Sequence, residues 1–206
     1  MTVKERRARE SEEMRQLILD AAGGIIAEEG IENLSVRKLA SRIDYSPAII
    51  YHYFHDKGDI INVLMQRGYA GIVEAISSAQ SSDPMQRLEE MTDKYISAAL
   101  AMPDVYKTVL LNGSPDVLEH TSALFQGARE SRQAINMLCR CLEDICAPVT
   151  HYDVLIELTA QVIFTSTFGL IIRLIIEKEL PTAQKEALVA RHLKMIADTA
   201  RSLANK

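Results

Sequence analysis

The chain has 206 residues, of which 48% are hydrophobic and 25% are charged; this is the composition of a folded globular protein and excludes a disordered tail. Its 23 basic and 28 acidic residues give a formal net charge of -5 at pH 7, which excludes a uniformly basic nucleic-acid coat but allows a local basic patch. The three cysteines are an odd number, which argues against a secreted disulfide framework.

Neither the N-terminus nor the most apolar stretch of the chain points to a membrane. The residues from Met1 to Glu13 are charged and contain no apolar stretch, so the sequence predicts no signal peptide. The longest uncharged run extends from Leu158 to Ile172 and includes several polar residues, whereas a membrane span needs about 20 mostly apolar residues. We therefore expect a buried helix here, no membrane partner, and a cytoplasmic protein.

Apolar residues recur at helical spacing along almost the whole chain, and no segment alternates with a period of two. The sequence therefore predicts an all-α fold of about nine helices. A first helix carries an apolar face from Leu17 to Ile26, and it is expected to end at Gly30 in the left-handed conformation. Asp83-Pro84 is expected to open a helix, and further breaks are expected at 112–115 and at Pro148. Two long helices, over residues 151–179 and 182–204, are expected to close the chain.

Two short helices follow the first one, and each has a start signal. Ser35 is expected to cap a helix that carries Leu39 and Ala40, and Ser46 is expected to cap a helix that begins at Pro47. Helices of about eight residues are marginal alone, so both need to pack against the first helix. Three helices with a short turn between the last two form a helix-turn-helix, whose second member enters the major groove of DNA.

The second short helix has two different faces. Ile50 and Phe54 are four residues apart and are expected to be buried together. On the opposite face, small residues allow close approach to base edges, while phenol and imidazole groups reach phosphate oxygens. That exposed face is expected to consist of Pro47, Ala48, Tyr51 and His52.

Two segments are basic although the whole chain is acidic. Residues 35–57 contain four basic and two acidic residues, among them Arg37 on the first short helix and Lys57 at the start of the next long helix. Residues 1–9 contain four basic residues and one acidic residue. Positive charge attracts DNA phosphates. A solvated helix face also explains such runs, so both interpretations stay open.

From Gly30 to Leu64 the sequence reads GIENLSVRKLASRIDYSPAIIYHYFHDKGDIINVL. This stretch resembles the N-terminal DNA-binding domain of the TetR family of bacterial and archaeal regulators, in spacing as well as in residue type. The positions that carry the resemblance are Gly30, Ser35, Leu39, Ala40, Ser46, Ile50, Tyr51, His52, Tyr53, Phe54, Lys57 and Asp59.

The resemblance implies roles for individual positions. Tyr51 and Lys57 correspond to residues that contact DNA phosphates, and Tyr45 lies where family members often read bases. Ser35 and Ser46 correspond to helix-capping residues that also bond phosphate. The expected DNA contacts are Ser35, Arg37, Tyr45, Ser46, Pro47, Ala48, Ile49, Tyr51, His52 and Lys57.

Among the departures from the family pattern, one lies in the turn and one on the second short helix. Asp44 stands in the turn where the family usually has glycine, and we expect it to adopt the left-handed conformation that Asp tolerates. Ile49 stands where the family often has threonine, whose hydroxyl reaches DNA. Isoleucine cannot donate a hydrogen bond, so Ile49 is expected either to touch a thymine methyl group or to pack within the protein.

The resemblance also implies two domains, which we place at 1–56 for the helix-turn-helix and 57–206 for a domain that binds a small molecule and dimerises. The late helix near Val162–Ile176 is apolar nearly all round, so it must be covered on all sides. A partner subunit is a natural cover, and a wholly intramolecular bundle is the alternative. The expected dimer contacts are Phe168, Ile172, Ile175, Leu188, His192 and Met195.

A pocket for an effector is expected among the larger adaptable and aromatic side chains of this domain, although such residues are often plain core. The expected ligand contacts are Met91, Tyr95, Met102, Tyr106, Phe125, Met137, Phe164 and Phe168. Cys139, Cys141 and Cys146 lack the spacing of a zinc site and are expected to be buried thiols. His120, His151 and His192 are expected to face solvent or an interface.

The sequence contains no recognisable catalytic constellation, so we expect no enzyme, no metal and no cofactor. The interpretation is a homodimeric, ligand-responsive transcriptional regulator, a repressor that a small apolar or amphipathic effector releases from a palindromic DNA operator. Two alternatives remain: an architectural or adaptor DNA-binding protein with a protein partner and no effector, and a helical enzyme or carrier in which the N-terminal helices merely pack.

Overall fold

A computed structural model of the chain describes residues 2–103, 106, 122–147 and 153–204. Within these residues it contains nine α-helices, one short 3-10 turn at Ile31–Asn33 and no β-strand, which confirms the all-α prediction. The helices are α1 (Val3–Glu29), α2 (Val36–Arg42), α3 (Pro47–Tyr53), α4 (Lys57–Ser77), α5 (Pro84–Ala101), α6 (Ala128–Ser131), α7 (Gln133–Cys146), α8 (Asp153–Ile176) and α9 (Thr182–Ala204).

Most predicted helix ends agree with the structure. α9 covers the expected residues, and α5 begins after Asp83, whose carboxylate accepts hydrogen bonds from the amides of Met85 and Gln86 at 2.7 and 3.2 Å. α8 ends three residues before the expected Glu179, because tighter turns follow it and the Lys178 amide donates to the Ile176 carbonyl. The expected breaks at 112–115 and at Pro148, and also His120 and His151, lie outside the described residues.

The chain forms two compact units. The N-terminal unit contains the described residues up to Gly68 and also Tyr106, and the C-terminal unit contains Tyr69–Pro103 and the described residues from 122 onward. The division therefore falls inside α4, whereas the sequence placed it after residue 56. The physical reason is that the first half of α4 belongs to the N-terminal core: Ile60 is 1% exposed there, and Ile61 and Leu64 pack against the same cluster.

The core of the N-terminal unit forms where three helices meet. α1 buries Ile18, Ala22 and Ile25 completely, and Leu39 of α2 and Ile50 of α3 are equally buried. This burial stabilises the two seven-residue helices, which nucleation cost would leave unstable in isolation.

Gly30, which ends α1, differs from its prediction. Its φ of 89° is positive as expected, but its ψ of 159° is extended and not left-handed helical. The Gly30 amide still donates to the Ile26 carbonyl at 2.9 Å, and the chain then enters the 3-10 turn directly instead of closing a longer helix cap. This region of backbone space is accessible almost only to glycine, so the residue type is required here.

In the C-terminal unit, all three cysteines lie on α7 and are buried and free of disulfides, as predicted. The Cys141 thiol donates to the Pro84 carbonyl at 3.3 Å. Burial raises the pKa of the Cys139 thiol to about 11. Among the described residues no cluster of potential metal ligands is present.

α8 is long and apolar enough to cross a membrane by length and composition, and it is the one such helix among the described residues. One face packs inside the C-terminal unit, where Ala160, Thr167 and Ile171 are at most 1% exposed. The opposite face is exposed to solvent. The prediction of a buried helix is therefore correct for one face of α8 and wrong for the other. Its large exposed side chains are Val154, Leu158, Val162 and Ile176.

A polar clamp fixes the segment before α6 to α8. The Glu157 carboxylate accepts hydrogen bonds from the amides of Gly127 and Arg129 at 3.1 and 3.0 Å. One turn later, the Gln161 side-chain amide donates to the carbonyls of Ala123 and Phe125, each at 2.9 Å. Glu157 is only 9% exposed, and the amide hydrogen bonds, that of Arg129 first, lower the pKa of its carboxyl group.

Glu157→Gln is expected to lower the free energy of unfolding by about 1–2 kcal/mol at pH 7, because charge-assisted hydrogen bonds become neutral ones. Since the folded-state pKa of Glu157 lies below that of an unfolded glutamate, about 4.3, its contribution is present above that pH and is lost as the pH falls further. Urea unfolding at several pH values measures this difference. Glu186→Gln, at an exposed position of α9, should change stability by less than about 0.5 kcal/mol; an equal effect of both variants would contradict the assignment.

Candidate nucleic-acid interface

The turn between α2 and α3 holds the two helices in a fixed geometry. Ser35 caps α2, and its hydroxyl oxygen accepts the Lys38 amide at 3.2 Å. Asp44 adopts the left-handed conformation with φ of 58°, as the sequence predicted. The next amide, that of Tyr45, donates back to the Ala40 carbonyl at 2.9 Å, which closes the turn. Ser46 is the residue before α3, as predicted, but the prediction that its side chain caps the helix is wrong: it makes no capping hydrogen bond, so its hydroxyl stays available.

α3 buries one face and exposes the other, as predicted. Ile50 and Phe54 are 0% and 2% exposed. Tyr51 is 59% exposed, and Tyr45 in the turn is 47% exposed. The side chains that this face offers to a partner are Tyr45, Ser46, Pro47, Ala48, Tyr51 and His52, all exposed.

Ile49 differs from the rest of the expected contact set. Its side chain is half-buried and packs against the core of the N-terminal unit. Of the two expectations for this residue, packing is therefore the one that the structure supports. A contact to a thymine methyl group would have to use the remaining exposed part of the side chain.

The charges of α2 are used in two different ways. Lys38 pairs with Glu29, and Arg42 Nη1 lies 3.1 Å from Glu28 Oε1, so both cations are held against the end of α1. The hydrogen bond from Arg42 lowers the pKa of the Glu28 carboxyl group. Among the described residues Arg37 alone of the three has no carboxylate partner, and it is exposed. Of the three cations on α2, Arg37 is therefore the one whose charge can meet a phosphate directly.

The start of α4 is occupied by the protein itself. The Asp56 carboxylate accepts the Asp59 amide at 2.9 Å, and the Asp59 carboxylate accepts the His55 amide at 3.2 Å. The Asp59 amide hydrogen bond is the main cause of a lowered pKa at Asp56. Because Asp56 uses an amide that a phosphate could otherwise bind, the ammonium group of Lys57 is the cationic group that the start of α4 offers to an anion.

Arg15 has a structural role that sequence reasoning missed. Its Nη1 donates to the Tyr53 carbonyl at 3.1 Å, and its guanidinium lies 4.4 Å from the centre of the Phe54 ring. Arg15 thus ties α1 to the carboxyl end of α3. The two hydrogen-bonded residues are 38 positions apart in the chain, so no local pattern could have revealed the contact.

The residues expected to bind a ligand are distributed over both units. Tyr106 is buried in the N-terminal unit, whereas the others lie in the C-terminal unit. There, Tyr95 of α5 stacks on Phe164 of α8 with ring centroids 5.7 Å apart. Met91, which also lies on α5, is 4% exposed. Phe125 is 38% exposed. The remaining three, Met102, Met137 and Phe168, are half-buried.

The expected dimer contacts divide into inner and outer residues. Ile175 and His192 are 5% and 7% exposed, so they lie inside the protomer. His192 Nε2 lies 2.9 Å from Thr167 Oγ1 in a buried hydrogen bond, and burial lowers its pKa, so it does not face solvent as one expectation had it. Leu188 and Met195 are 36% and 48% exposed. Phe168 and Ile172 are half-buried.

Next to Met195, the exposed faces of α8 and α9 border an open groove of about 450 Å³. Its lining residues are Leu155, Thr159, Arg191, Met195, Asp198, Thr199, Ser202 and Leu203.

Three packed helices with a short turn between α2 and α3 and an exposed, small and hydroxyl-bearing face on α3 define a helix-turn-helix protein. Residues 18–64 match the model of the family described as "Bacterial regulatory proteins, tetR family". Over these residues the chain is similar to bacterial regulators of the TetR family.

Known proteins resemble part of this chain in sequence and most of it in fold. An HTH-type transcriptional regulator of Staphylococcus aureus (strain USA300) is 32% identical over 59 residues, which is 29% of this chain and 32% of that protein. The chain thus matches about a third of the length of this curated relative.

Solved structures that share the fold include two bacterial regulators. A TetR-like transcriptional regulator from Rhodococcus sp. RHA1 is 19% identical, with a TM-score of 0.65 over 93% of this chain and 96% of that one. The regulator PfmR from Thermus thermophilus is 23% identical, with a TM-score of 0.62 over 88% and 97%.

Proposed function

We propose that this protein is a DNA-binding transcriptional regulator that recognises a specific operator through α3. The observation that carries the proposal is the exposed face of α3, with Tyr51 and His52 on it. Arg37 before α3 in the sequence and Lys57 after it have no carboxylate partner among the described residues. Base edges are read by small side chains that approach closely, while phosphate contacts fix the position of the helix. The overall charge of -5 favours a specific site over general attraction to DNA.

The protein acts as a homodimer joined through α8 and α9. The open apolar face of α8, with Leu158 and Val162 53% and 62% exposed, and Met195 of α9 supply the surface. Burying each such side chain contributes about 1.5–3 kcal/mol. Two reading heads related by a two-fold axis bind half-sites about 34–36 Å apart, so the operator is close to palindromic.

An effector acts through the C-terminal unit and releases a repressor from its operator. The stacked pair Tyr95 and Phe164, together with Met91, provides apolar and polarisable surface, which suits a small apolar or amphipathic molecule. The effector shifts the population toward a head spacing that does not match DNA, by its difference in affinity for the two states. The protein carries out this function in the cytoplasm.

Sequencing the DNA that the protein retains from a random pool at physiological salt tests the DNA-binding proposal. One enriched palindrome is the expected result. Retention of many fragments without a motif would favour an architectural or adaptor protein, and no retention by a sample shown by mass spectrometry to hold no bound small molecule would overturn the proposal.

Tyr51→Phe and Lys57→Ala are expected to weaken binding to the selected operator without changing the fold. Loss of a hydrogen bond to a charged phosphate lowers binding by about 1.5–3 kcal/mol, roughly tenfold or more in affinity. Loss of the ammonium group removes one phosphate contact per protomer, which lowers the slope of log K against log salt by about 1. Fluorescence anisotropy at fixed salt measures the loss of affinity, and its repetition at several salt concentrations measures the salt dependence.

Two matched variants serve as controls. Tyr53→Phe removes a hydroxyl from a half-buried neighbour on the same helix, and Lys38→Ala removes an ammonium group that Glu29 already holds. Both should bind DNA nearly as well as the wild type. Equal losses in test and control variants would refute the assigned phosphate contacts.

A further inference from the structure

The first eleven residues of α1 (residues 3–13) form a helical extension outside the core. α1 begins with a capping box, in which the Thr2 hydroxyl accepts the Glu5 amide at 3.2 Å and the Thr2 amide donates to Glu5 at 2.7 Å. All residues from Val3 to Glu13 are exposed. At about 1.5 Å per residue this extension is roughly 16 Å long. It is additional to the part of α1 that packs in the N-terminal core.

The four cations of this extension differ in their partners. Arg6 lies 3.5 Å from Glu10, and Arg9 lies 3.3 Å from Glu13, so each of these two has a carboxylate one turn away. Among the described residues Lys4 and Arg7 have none. A cation in the first turn also opposes the helix dipole, so Lys4 is not there to stabilise the helix.

The unpaired cations lie on the face of α1 that packs into the core further along. Lys4 precedes Ala22 by eighteen residues, and Arg7 precedes Ile25 by the same number, which is about five full turns. Ala22 and Ile25 are both 0% exposed. The paired cations Arg6 and Arg9 lie on the opposite side of the helix by the same count.

The extension leaves the core beside the proposed reading helix. Arg15, on the same side of α1, bonds the Tyr53 carbonyl at the carboxyl end of α3, two residues after Tyr51. Lys4 and Arg7 therefore lie on the part of α1 that extends beyond its contact with the carboxyl end of α3, the end that contains Tyr51.

We propose that Lys4 and Arg7 bind the phosphate backbone of DNA that flanks the sequence read by α3. This proposal rests on the DNA-binding function proposed above. The contacts are sequence-independent, because a lysine and an arginine on an exposed helix face meet phosphate oxygens and no base edges. They add affinity and salt dependence, whereas α3 supplies the choice of site.

The test is a salt titration of binding to a 40-base-pair duplex of mixed sequence, measured by fluorescence anisotropy at low to moderate salt. The double variant Lys4→Gln with Arg7→Gln is compared with Arg6→Gln with Arg9→Gln, which removes the same charge from the same helix. Each lost phosphate contact lowers the slope of log K against log salt by about 0.9. In the Lys4 and Arg7 variant this slope is expected to fall by roughly 2 per protomer, and in the control variant it should hardly change.

Equal slopes for the two double variants would overturn the proposal, because overall charge and not contact would then explain any loss. Tyr51→Phe in the same assay separates the two proposals. If Tyr51→Phe weakens binding and the two double variants agree, the inference on the extension fails alone. If the wild type shows no salt-dependent binding to any duplex, both proposals fail together.

Discussion

Val162→Glu is expected to convert the proposed homodimer into a monomer. Val162 is 62% exposed on the open face of α8, between Leu158 and the small exposed residue Gly169. In a dimer through this face the new carboxylate would be buried without a partner, which costs several kcal/mol per charge, and the two-fold axis introduces it twice. At micromolar concentration the molecular mass in analytical ultracentrifugation should fall to the 23.0 kDa of one chain.

Leu100→Glu is the matched control for this experiment. Leu100 is 38% exposed at the end of α5, in the same unit but on a different helix. This variant should remain dimeric and keep the operator affinity of the wild type. A dimer that survives Val162→Glu, or that Leu100→Glu also breaks, would show that the subunits do not associate through α8.

Phe54→Ala is expected to unfold the helix-turn-helix and to abolish DNA binding. Phe54 is 2% exposed, closes the end of α3 and lies under the Arg15 guanidinium. Truncation of a buried phenylalanine lowers stability by about 3–5 kcal/mol. A domain has only about 5–15 kcal/mol in total. Hydrogen exchange should therefore show lost protection at the amides of Leu39 and Ile50.

Tyr51→Ala distinguishes unfolding from a lost contact. It removes an aromatic ring from the same helix at a position that is 59% exposed, so stability should change by less than about 0.5 kcal/mol. It should nevertheless weaken operator binding. If Phe54→Ala leaves exchange in the N-terminal unit unchanged, Phe54 does not have the core role that its burial indicates.

Local patterns were sufficient to predict the helices and most of their ends. Ser35, Asp44 and Asp83 have the predicted roles because capping and left-handed turns depend on a few neighbouring residues. The burial of Ile50 and Phe54 followed from their spacing on one short helix. The same spacing predicted the exposed face of α3, which is the main part of the candidate site.

Contacts between distant residues could not be predicted in this way. The cations Lys38 and Arg42 look alike in sequence to Arg37, yet tertiary packing places carboxylates of α1 beside these two and, within the described part of the chain, none beside Arg37. His192 was expected at a surface, but it is buried and forms a hydrogen bond with Thr167, which lies 25 residues earlier in the chain. The Glu157 clamp likewise joins residues 28 and 30 positions apart.

The burial of the three cysteines has a consequence for how the protein withstands oxidants. Oxidants and electrophiles attack the thiolate form. With a pKa of about 11, the Cys139 thiol is deprotonated to only about one part in ten thousand at neutral pH. Cys141 and Cys146 are also buried, and burial raises the pKa of each. The folded chain therefore keeps its three thiols in their least reactive, protonated form.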